Sequence, residues 1–341
     1  MIYLLLAHPG HNRVYFESSK PLCLAELNLA LQSFDTPCQN TAWQQLSGLD
    51  YLSFEAENAL NDREVALLYQ LSFTFAVFLQ QENLLCPVDK PVLNAFDNGV
   101  SSMLKYSGKT NERFTRMCIN VARFAHQNLP KQPKLLDPVA GKGTTLIEAL
   151  ALDCNVAGVE LSDTSAADFN VFFKKYLQTA RYKHEIESIR QSDPKGKWKA
   201  KKTLYTFAPD KEQFKLAPQT LHMISCNSAF TDQLFTKNTF DLLVGDLPYG
   251  IAHGNTGNVK TPGITRNPSV LLRDCLPAWK KVMKKGGVLV LAWNKHLLSF
   301  EDFADILTQN GFEVLTDDVY TSFEHRVDAS ILRDIIVARK G

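Results

Sequence analysis

The sequence predicts an α/β protein with a parallel sheet, preceded by a smaller N-terminal α+β domain. From about residue 108, helical patterns alternate with short apolar runs, which is typical of βαβ units. The preceding residues combine two strand-like runs with two helical patterns. Between these regions, CPVDKPVLN at residues 86–94 contains two prolines, which favour a linker. We therefore expect one domain at residues 1–95 and a second at residues 96–341.

The N-terminal domain is predicted to be a small α+β module. Its strand-like runs are Ile2–Ala7 and residues 13–17. A second helical pattern, at residues 62–79, follows a first that passes through Leu22, Ala25, Leu27 and Leu31. The apolar start of the chain is too short for a signal peptide and no basic segment precedes it, so we interpret it as the first strand.

The C-terminal domain has seven candidate strands with helical patterns between them: residues 134–136, 156–161, 221–225, 240–245, 288–293, 312–320 and 334–338. Residues 174–215 form a long insertion. It is rich in basic residues, among them Lys195, Lys197, Lys199, Lys201 and Lys202. A charge run of this kind is commonly a solvated surface. The alternative is a nucleic-acid contact in which Tyr182 and Trp198 stack on bases.

Composition and charge limit the classes of function. Hydrophobic residues make up 45% of the 341 residues and charged residues 21%, as in soluble globular proteins. The net charge of +1 gives no global attraction for a polyanion, so any nucleic-acid surface has to be local. The seven cysteines include no CxxC pair and no metal-ligand spacing, which indicates reduced thiols and no metal site. We expect a cytoplasmic protein without a membrane segment.

The run DLLVGDLPYG at residues 241–250 places an acid, a proline and an aromatic residue after a buried strand. Pro248 has no amide donor and cannot continue a sheet ladder, so Asp246 is predicted at the carboxyl end of the strand. In open α/β sheets ligands bind at that edge. An ordinary turn is the alternative, because proline and glycine are also the residues that turns require.

A glycine-rich turn lies upstream, in LLDPVAGKGTTLIEAL at residues 135–150, where another strand ends at Asp137. The turn and the helix start consist of Ala140, Gly141, Lys142, Gly143, Thr144 and Thr145. Glycine permits positive φ and the close approach of a ligand, and exposed amides at a helix start favour a carboxylate or phosphate. The run lacks the third glycine of a dinucleotide fingerprint and the ending of a P-loop, which argues against NAD and ATP.

Three strand ends together predict S-adenosylmethionine as the ligand. Asp137, beside the helix-start amides, suits an amino-acid moiety, which carries both an ammonium and a carboxylate group. Glu160, followed by Leu161, ends the next strand, where an acid can accept both ribose hydroxyls. Cys226 and Asn227 end a third strand, where an amide can meet an adenine edge. Each acid alone is also explained by a capping or surface role.

These segments resemble successive motifs of class I S-adenosylmethionine-dependent methyltransferases: DPVAGKGTT, GVEL, DLPYG and KKGGVLVLAWN. The pair DPVAGKGTT and DLPYG is more specific and resembles RNA guanosine 2-amino methyltransferases, a group often joined to a THUMP domain. The resemblance covers about residues 105–340 and implies a Rossmann-like seven-stranded sheet, an S-adenosylmethionine cofactor and an RNA substrate, tRNA in particular. The N-terminal 95 or so residues suffice for one ferredoxin-like module but not for a complete THUMP domain in addition.

The resemblance also implies roles in the DLPYG turn. Asp246 and the Leu247 carbonyl would orient an exocyclic amine, Pro248 would shape the turn and Tyr249 would stack on the base. Asp246 is also expected to contact the cofactor. The family often has a second proline where this chain has Leu247, and we expect the turn to persist because its useful atom is the carbonyl oxygen.

Residues 105–124, KYSGKTNERFTRMCINVARF, resemble a helix that such enzymes place over the methionine end, with Thr110 and Asn111 as further cofactor contacts. Aspartate at position 246 favours guanine as the acceptor, since related adenine and glutamine methyltransferases usually carry asparagine there. The alternatives are an amino group of adenine in DNA or RNA, a protein side chain, or a non-catalytic S-adenosylmethionine-binding subunit that supports a partner enzyme.

Overall fold

The computed structural model describes residues 1–8, 13–91, 96, 99–103, 109–248 and 268–341, without the side chains of residues 13–15. The chain divides into two compact units. The first comprises Met1–Leu93 and Thr316–Arg333, and the second comprises Asn94–Leu315 and Asp334–Gly341. Residues 316–333 therefore group with the N-terminal part of the chain, a return that no linker signal in the sequence indicates.

The first unit begins with seven elements, β1 (Ile2–Ala7), α1 (Arg13–Leu31), β2 (Cys38–Leu46), β3 (Leu49–Ala56), α2 (Asp62–Gln70), β4 (Thr74–Gln81) and β5 (Leu84–Pro87). The strands form one antiparallel sheet in the order β2-β3-β1-β4-β5. The succession β-α-β-β-α-β with this order is the ferredoxin-like arrangement, extended by β5.

Two segments of this unit differ from the sequence prediction. Residues 13–17 start α1 instead of forming a strand, because the continuing helical period outweighs the weak strand preference of valine and aromatic residues. The helical pattern predicted over residues 62–79 ends at Gln70, and Thr74–Gln81 is a strand. Leu71 has the extended conformation that ends the helix, and TFAVFL after it is rich in strand-forming residues.

The second unit contains the longer series of elements. Up to the third strand of its parallel core these are α3 (Val100–Met103), α4 (Glu112–Ala125), β6 (Lys134–Asp137), α5 (Thr144–Leu150), β7 (Asn155–Glu160), α6 (Asp163–Thr179), β8 (Lys183–Ser192), β9 (Lys199–Ala208), α7 (Lys211–Leu216) and β10 (Gln219–Ser225). The elements that follow are α8 (Thr231–Leu234), β11 (Phe240–Asp246), α9 (Pro268–Val282), β12 (Met283–Asn294), α10 (Phe300–Gln309) and β13 (Phe312–Val314).

The chain then forms α11 (Asp318–Thr321) and β14 (His325–Arg326), which belong to the first unit, and ends in β15 (Leu332–Lys340). The large sheet has the order β13-β15-β12-β11-β6-β7-β10-β9-β8, and β14 pairs with the start of β15. All seven strands predicted for this domain are present, although the run at residues 312–320 is a strand only as far as Val314. The predicted α/β architecture with a Rossmann-like sheet is confirmed.

The centre of the sheet is parallel. β7 is parallel to β6 and β10, and β11 is parallel to β6 and β12. The chain passes from β6 outward through β7 to β10 and then returns to the other side of β6 with β11. The strand order therefore reverses between β6 and β11, and a reversal of this kind opens a crevice at the carboxyl ends of the strands. We call the ends of β6, β7, β10 and β11 the carboxyl edge.

The basic insertion folds as a β-hairpin that extends the sheet. β9 is antiparallel to β10, and β8 is antiparallel to β9. The two strands are joined through Asp193, whose carbonyl accepts a 2.9 Å hydrogen bond from the Gly196 amide. Proline and glycine in DPKG are the signals of this turn. β8 is exposed along nearly its whole length, so no apolar alternation marks it as a strand in the sequence.

Apolar side chains fill both faces of the parallel strands. Among the described residues, Trp279, Trp293, Phe169 and Phe303 are fully buried, and each such side chain stabilises the fold by roughly 1.5–3 kcal/mol. On one face, α4 packs against α5, β11 and β12. A buried ion pair joins the two helices, with 2.6 Å between Arg116 Nε and Glu148 Oε2. None of the described helices is long and apolar enough to cross a membrane.

Candidate active site

Four polar residues lie side by side along the carboxyl edge. Across the sheet, the ends of the strands β10, β7, β6 and β11 carry Asn227, Glu160, Asp137 and Asp246, in that spatial order. Register fixes this alignment, since Ser225 lies opposite Glu160 and Asp137 lies opposite Gly158. Neighbouring strands are about 4.8 Å apart, so one ligand can reach several of these residues at once.

The glycine-rich turn lies directly on β7 and α6. The Ala140 amide donates a 3.0 Å hydrogen bond to the Val159 carbonyl. A Cβ on Gly158 would lie 2.8 Å from the Ala140 Cβ, so only glycine lets the turn approach the strand this closely. Gly143 has a φ of +83°, and a Cβ there would lie 2.3 Å from two ring atoms of Phe169. The turn therefore depends on glycine at these two positions.

Asp137 is buried beneath the turn, with 2% of its surface exposed. Its carboxylate accepts a 3.0 Å hydrogen bond from the Val139 amide and another from the Thr145 side chain. Burial raises the pKa of Asp137 to about 7; the two hydrogen bonds oppose this rise, and the nearby charges of Asp246 and Glu160 add to it. A cationic group next to Asp137 would favour its ionised form. An ammonium or a sulfonium group is a cation of this kind.

Glu160 is held in place by backbone amides. Its Oε2 accepts a 2.8 Å hydrogen bond from Gly141, and its Oε1 accepts a 2.7 Å hydrogen bond from Ser162. A carboxylate has about four acceptor positions, so two remain for ligand hydroxyls. Leu161 next to it is 44% exposed. Because the Gly141 amide is already bonded, a ligand carboxylate would have to displace Glu160 there or use other donors of the turn.

The end of β10 is fixed by a hydrogen bond to the neighbouring strand. The Cys226 amide donates to the Glu160 carbonyl at 2.9 Å, and burial raises the pKa of the Cys226 thiol. Asn227 is exposed and its Oδ1 accepts a 2.9 Å hydrogen bond from the Ala229 amide. This bond caps the short turn at residues 228–230. Because the side-chain oxygen of Asn227 is used in the cap, its NH₂ group is the one that can donate to a ligand.

Asp246 ends β11 on the other side of Asp137. Its Oδ2 accepts a hydrogen bond of 2.5 Å from Thr110 Oγ1. The next residue, Leu247, has a buried side chain, and its amide donates to the Ala292 carbonyl at 2.8 Å. A proline at position 247 has no amide N–H and could not donate this hydrogen bond. Pro248 is exposed, and Tyr249 lies outside the described residues.

The structure thus brings the predicted residues of β6, the glycine-rich turn, β7, β10 and β11 to one edge. Thr144 and Thr145 are buried at the start of α5. Asn111 caps α4, because its side chain accepts the amides of Arg113 and Phe114. The sequence did not indicate the contact between Thr110 and Asp246, which are 136 positions apart, or the support of Gly143 by Phe169. Within the described ranges, no group of three or more His, Cys, Asp and Glu residues could hold a metal ion.

Solved structures of methyltransferases share partial similarity with this chain. One is an S-adenosylmethionine-dependent methyltransferase from Clostridium acetobutylicum, at 13% identity and a TM-score of 0.40, covering 69% of this chain and 94% of that chain. Another is a TehB-like methyltransferase from Corynebacterium glutamicum, at 13% identity and a TM-score of 0.34, covering 62% and 83%. A third is the ribosomal protein L11 methylase from Lactobacillus delbrueckii, at 12% identity and a TM-score of 0.36, covering 67% and 80%.

No curated protein matches the sequence significantly. In contrast, residues 123–316 match the family model UPF0020, an RMKL-like methyltransferase domain, and this match spans more than half of the chain. The matched residues include β6, the glycine-rich turn, β7, β10 and β11, which carry the site described above. The chain therefore belongs to the UPF0020 family of RMKL-like methyltransferase domains, and it is an S-adenosylmethionine-dependent methyltransferase.

Proposed function

We propose that the protein methylates RNA, and that its acceptor is the exocyclic 2-amino group of a guanosine in tRNA. The single observation that supports this most is the order Asn227, Glu160, Asp137, Asp246 along the carboxyl edge. The first three suit the adenine, ribose and amino-acid parts of the cofactor in their covalent order. Asp246 then lies on the side of the amino-acid part, next to the place where the methyl group would be transferred.

On the cofactor side, S-adenosylmethionine supplies an electrophilic methyl group on a sulfonium centre. The buried carboxylate of Asp137 would hold the ammonium group, and Glu160 would accept the ribose hydroxyls through its remaining acceptor positions. Asn227 would donate to the adenine edge. The acidic surroundings of Asp137, to which Asp246 and Glu160 contribute, fit a ligand that carries positive charge.

On the acceptor side, Asp246 and the Leu247 carbonyl would accept hydrogen bonds from the two N–H groups of the amine. The lone pair of an exocyclic base amine is delocalised into the ring, which makes the amine a poor nucleophile. The two hydrogen bonds would turn the lone pair toward the methyl group, and the carboxylate would stabilise the positive charge that develops on nitrogen. Pro248 would shape the turn, and Tyr249 is proposed from the sequence to stack on the base.

We propose that the hairpin β8–β9 contributes to RNA binding near this site. Lys201 on β9 lies opposite Ser225 at the end of β10, so the turn at residues 193–198 projects past the carboxyl edge. The exposed lysines of that turn and its flank are Lys195, Lys197 and Lys199. We propose that these three lysines contact phosphate groups of the RNA, in line with the expected role of the segment at residues 195–202.

The other two lysines of the basic segment, Lys201 and Lys202, already have partners within the fold. Lys201 forms an ion pair with Asp163 at 2.6 Å, and Lys202 donates to the Leu234 carbonyl at 3.0 Å. Tyr182 packs against Phe207, and Trp198 packs against the ring of Phe230. Base stacking by these two aromatic rings therefore has no support from their positions in the fold.

Neutralising the tip of the hairpin is expected to weaken RNA binding and to flatten its salt dependence. The variant is Lys195→Gln combined with Lys197→Gln. Each lysine that contacts a single-stranded phosphate contributes about 0.7 to the slope of log K against log salt, so the pair should reduce the slope by roughly 1.4. The control is Lys211→Gln with Lys215→Gln, which removes equal charge from exposed residues of α7. This helix directly precedes the start of β10, at the end of that strand away from the carboxyl edge. Equal slopes for the two double variants would show that Lys195 and Lys197 are ordinary solvated surface residues that do not contact the RNA.

Cofactor binding is expected to strengthen as the pH rises toward 7. In the ligand-free protein, Asp137 is protonated below its raised pKa of about 7, and a cationic ligand selects the ionised form. Binding therefore releases a proton, and affinity for S-adenosylmethionine should increase roughly tenfold between pH 5.5 and pH 7. Calorimetry measures the affinity over this pH range, which lies below the pH at which the ligand's own amino group titrates. Asp137→Asn, which cannot titrate, should bind weakly with little dependence on pH, and an unchanged pH dependence would remove Asp137 from this role.

Mapping of modified nucleosides tests the proposed acceptor in cells. Total tRNA and rRNA from strains with and without the gene would be digested and compared by mass spectrometry. The proposal expects N2-methylguanosine to be lost from tRNA of the deletion strain. Loss of a methylated adenine or of a methylated protein side chain would assign the enzyme to one of those acceptors, and unchanged nucleosides and proteins would leave the non-catalytic alternative.

A further inference from the structure

We infer that Thr110 is a positioning residue for Asp246 and not a contact of the cofactor. This inference rests on the proposed function, in which Asp246 orients the acceptor amine. The observation that carries it is the 2.5 Å hydrogen bond from Thr110 Oγ1 to Asp246 Oδ2, which joins the start of α4 to the end of β11. A charge-assisted bond of this length is among the stronger hydrogen bonds in proteins.

The bond has a fixed direction. An ionised carboxylate can only accept, so the hydroxyl of Thr110 donates its proton to Asp246. The donation holds one oxygen of the carboxylate and thereby sets the rotation of the carboxylate about its Cβ–Cγ bond. That rotation decides where the carboxylate can accept an N–H from the substrate. Thr110 therefore acts on the acceptor amine through Asp246.

Thr110 can serve this purpose because the side chains of both of its neighbours are held by hydrogen bonds. The neighbouring Asn111 caps α4 with hydrogen bonds to the Arg113 and Phe114 amides, at 2.9 and 3.4 Å. Before it, Lys109 donates to the Ser101 carbonyl at 2.6 Å and pairs with Glu112 at 3.2 Å. α4 itself is largely buried against α5, β11 and β12. The hydroxyl is thus presented from a fixed helix start, and small errors in its position, which are costly in catalysis, are limited.

The test compares Thr110→Val, which keeps the side-chain shape without the hydroxyl, with Thr110→Ser, which keeps the hydroxyl. With tRNA from a strain that lacks the gene as substrate, Thr110→Val should lower kcat roughly 10- to 100-fold, the equivalent of one charge-assisted hydrogen bond. Thr110→Ser should recover the rate to within about threefold, since it restores the same bond. Calorimetric affinity for S-adenosylmethionine should stay within about twofold of wild type in both variants, because no cofactor contact is removed.

A pH profile adds a readout that a merely structural role would not change. A hydrogen bond donated to a carboxylate favours its ionised form, so the acidic limb of the rate profile should move to higher pH in Thr110→Val. The control is Thr115→Val on the same helix, whose hydroxyl bonds only to the Asn111 carbonyl, at 3.3 Å, among the described contacts. This control should leave the rate and the pH profile unchanged.

The outcomes separate failure of this inference from failure of the proposed function. If Asp246→Asn is slow but Thr110→Val is as fast as wild type, or if Thr110→Ser is as slow as Thr110→Val, only the inference is overturned. If wild-type protein does not methylate RNA, the proposed function fails. A crystal structure with S-adenosylhomocysteine then tests the inference independently of any methylation assay. The Thr110 hydroxyl should still bond to Asp246 there, and a hydroxyl bonded to the cofactor would overturn the inference, as would a large loss of cofactor affinity in Thr110→Val.

Discussion

Asp246→Asn is expected to slow methyl transfer by about 10²–10³-fold, the usual effect of losing one preorganised electrostatic contact. Asparagine keeps the size and one acceptor oxygen of the side chain but removes the charge that stabilises the amine as it becomes cationic. Affinity for S-adenosylmethionine should change far less than the rate, because the proposed partner of Asp246 is the amine. Single-turnover kinetics with saturating cofactor measures the rate, and calorimetry measures the affinity.

Asp241→Asn is the matched control for this variant. Asp241 lies on the same strand, β11, but at its start, where it accepts the Lys134 amide at 2.9 Å and pairs with Lys284 at 2.7 Å. Its replacement should lower stability without a comparable loss of rate. Wild-type rates in Asp246→Asn, or equal losses of rate in the two variants, would contradict the role assigned to Asp246.

Gly143→Ala is expected to destabilise the second unit by roughly 2–5 kcal/mol, the sum of left-handed backbone strain and overpacking. At this position φ is +83° and the new Cβ would lie 2.3 Å from ring atoms of Phe169. Phe169 cannot readily move, because it is buried and stacks on Phe173 with 5.6 Å between ring centroids. Denaturant unfolding, followed by a probe in the second unit, measures the loss.

Gly141→Ala is the matched control in the same turn. Gly141 also has a positive φ, +53°, but a Cβ there would meet nothing within 4 Å among the described residues. Its cost should therefore be limited to backbone strain of about 1–2 kcal/mol. Equal costs for the two alanine variants would show that the contact with Phe169 does not restrict position 143.

The parallel strands and their polar ends could be predicted because both are local patterns. β6, β7, β10 and β11 are short apolar runs, and Asp137, Glu160 and Asp246 stand at their ends in the sequence as in the structure. The order of these ends across the sheet follows from the usual winding of a doubly wound sheet. Such features depend on residues that are neighbours in the chain, and they can therefore be predicted from the sequence.

The features that escaped prediction depend on distant contacts or on exposed strands. β8 has polar residues on both faces, so its place in the sheet comes from the DPKG turn and from pairing with β9. The bond between Thr110 and Asp246 joins residues 136 positions apart. The grouping of residues 316–333 with the first unit likewise depends on tertiary packing. Hydrophobic periodicity reports burial along one element and carries no information on such pairs.

The most direct test of the account is the identity of the methylated product. Purified wild-type protein would be incubated with S-adenosylmethionine carrying a labelled methyl group and with tRNA from a strain lacking the gene, and the RNA would be digested to nucleosides for mass spectrometry. The account predicts that the label appears as N2-methylguanosine with the wild-type protein and is nearly absent with Asp246→Asn. Label on adenosine or on carbon, or equal labelling by the two proteins, would contradict it.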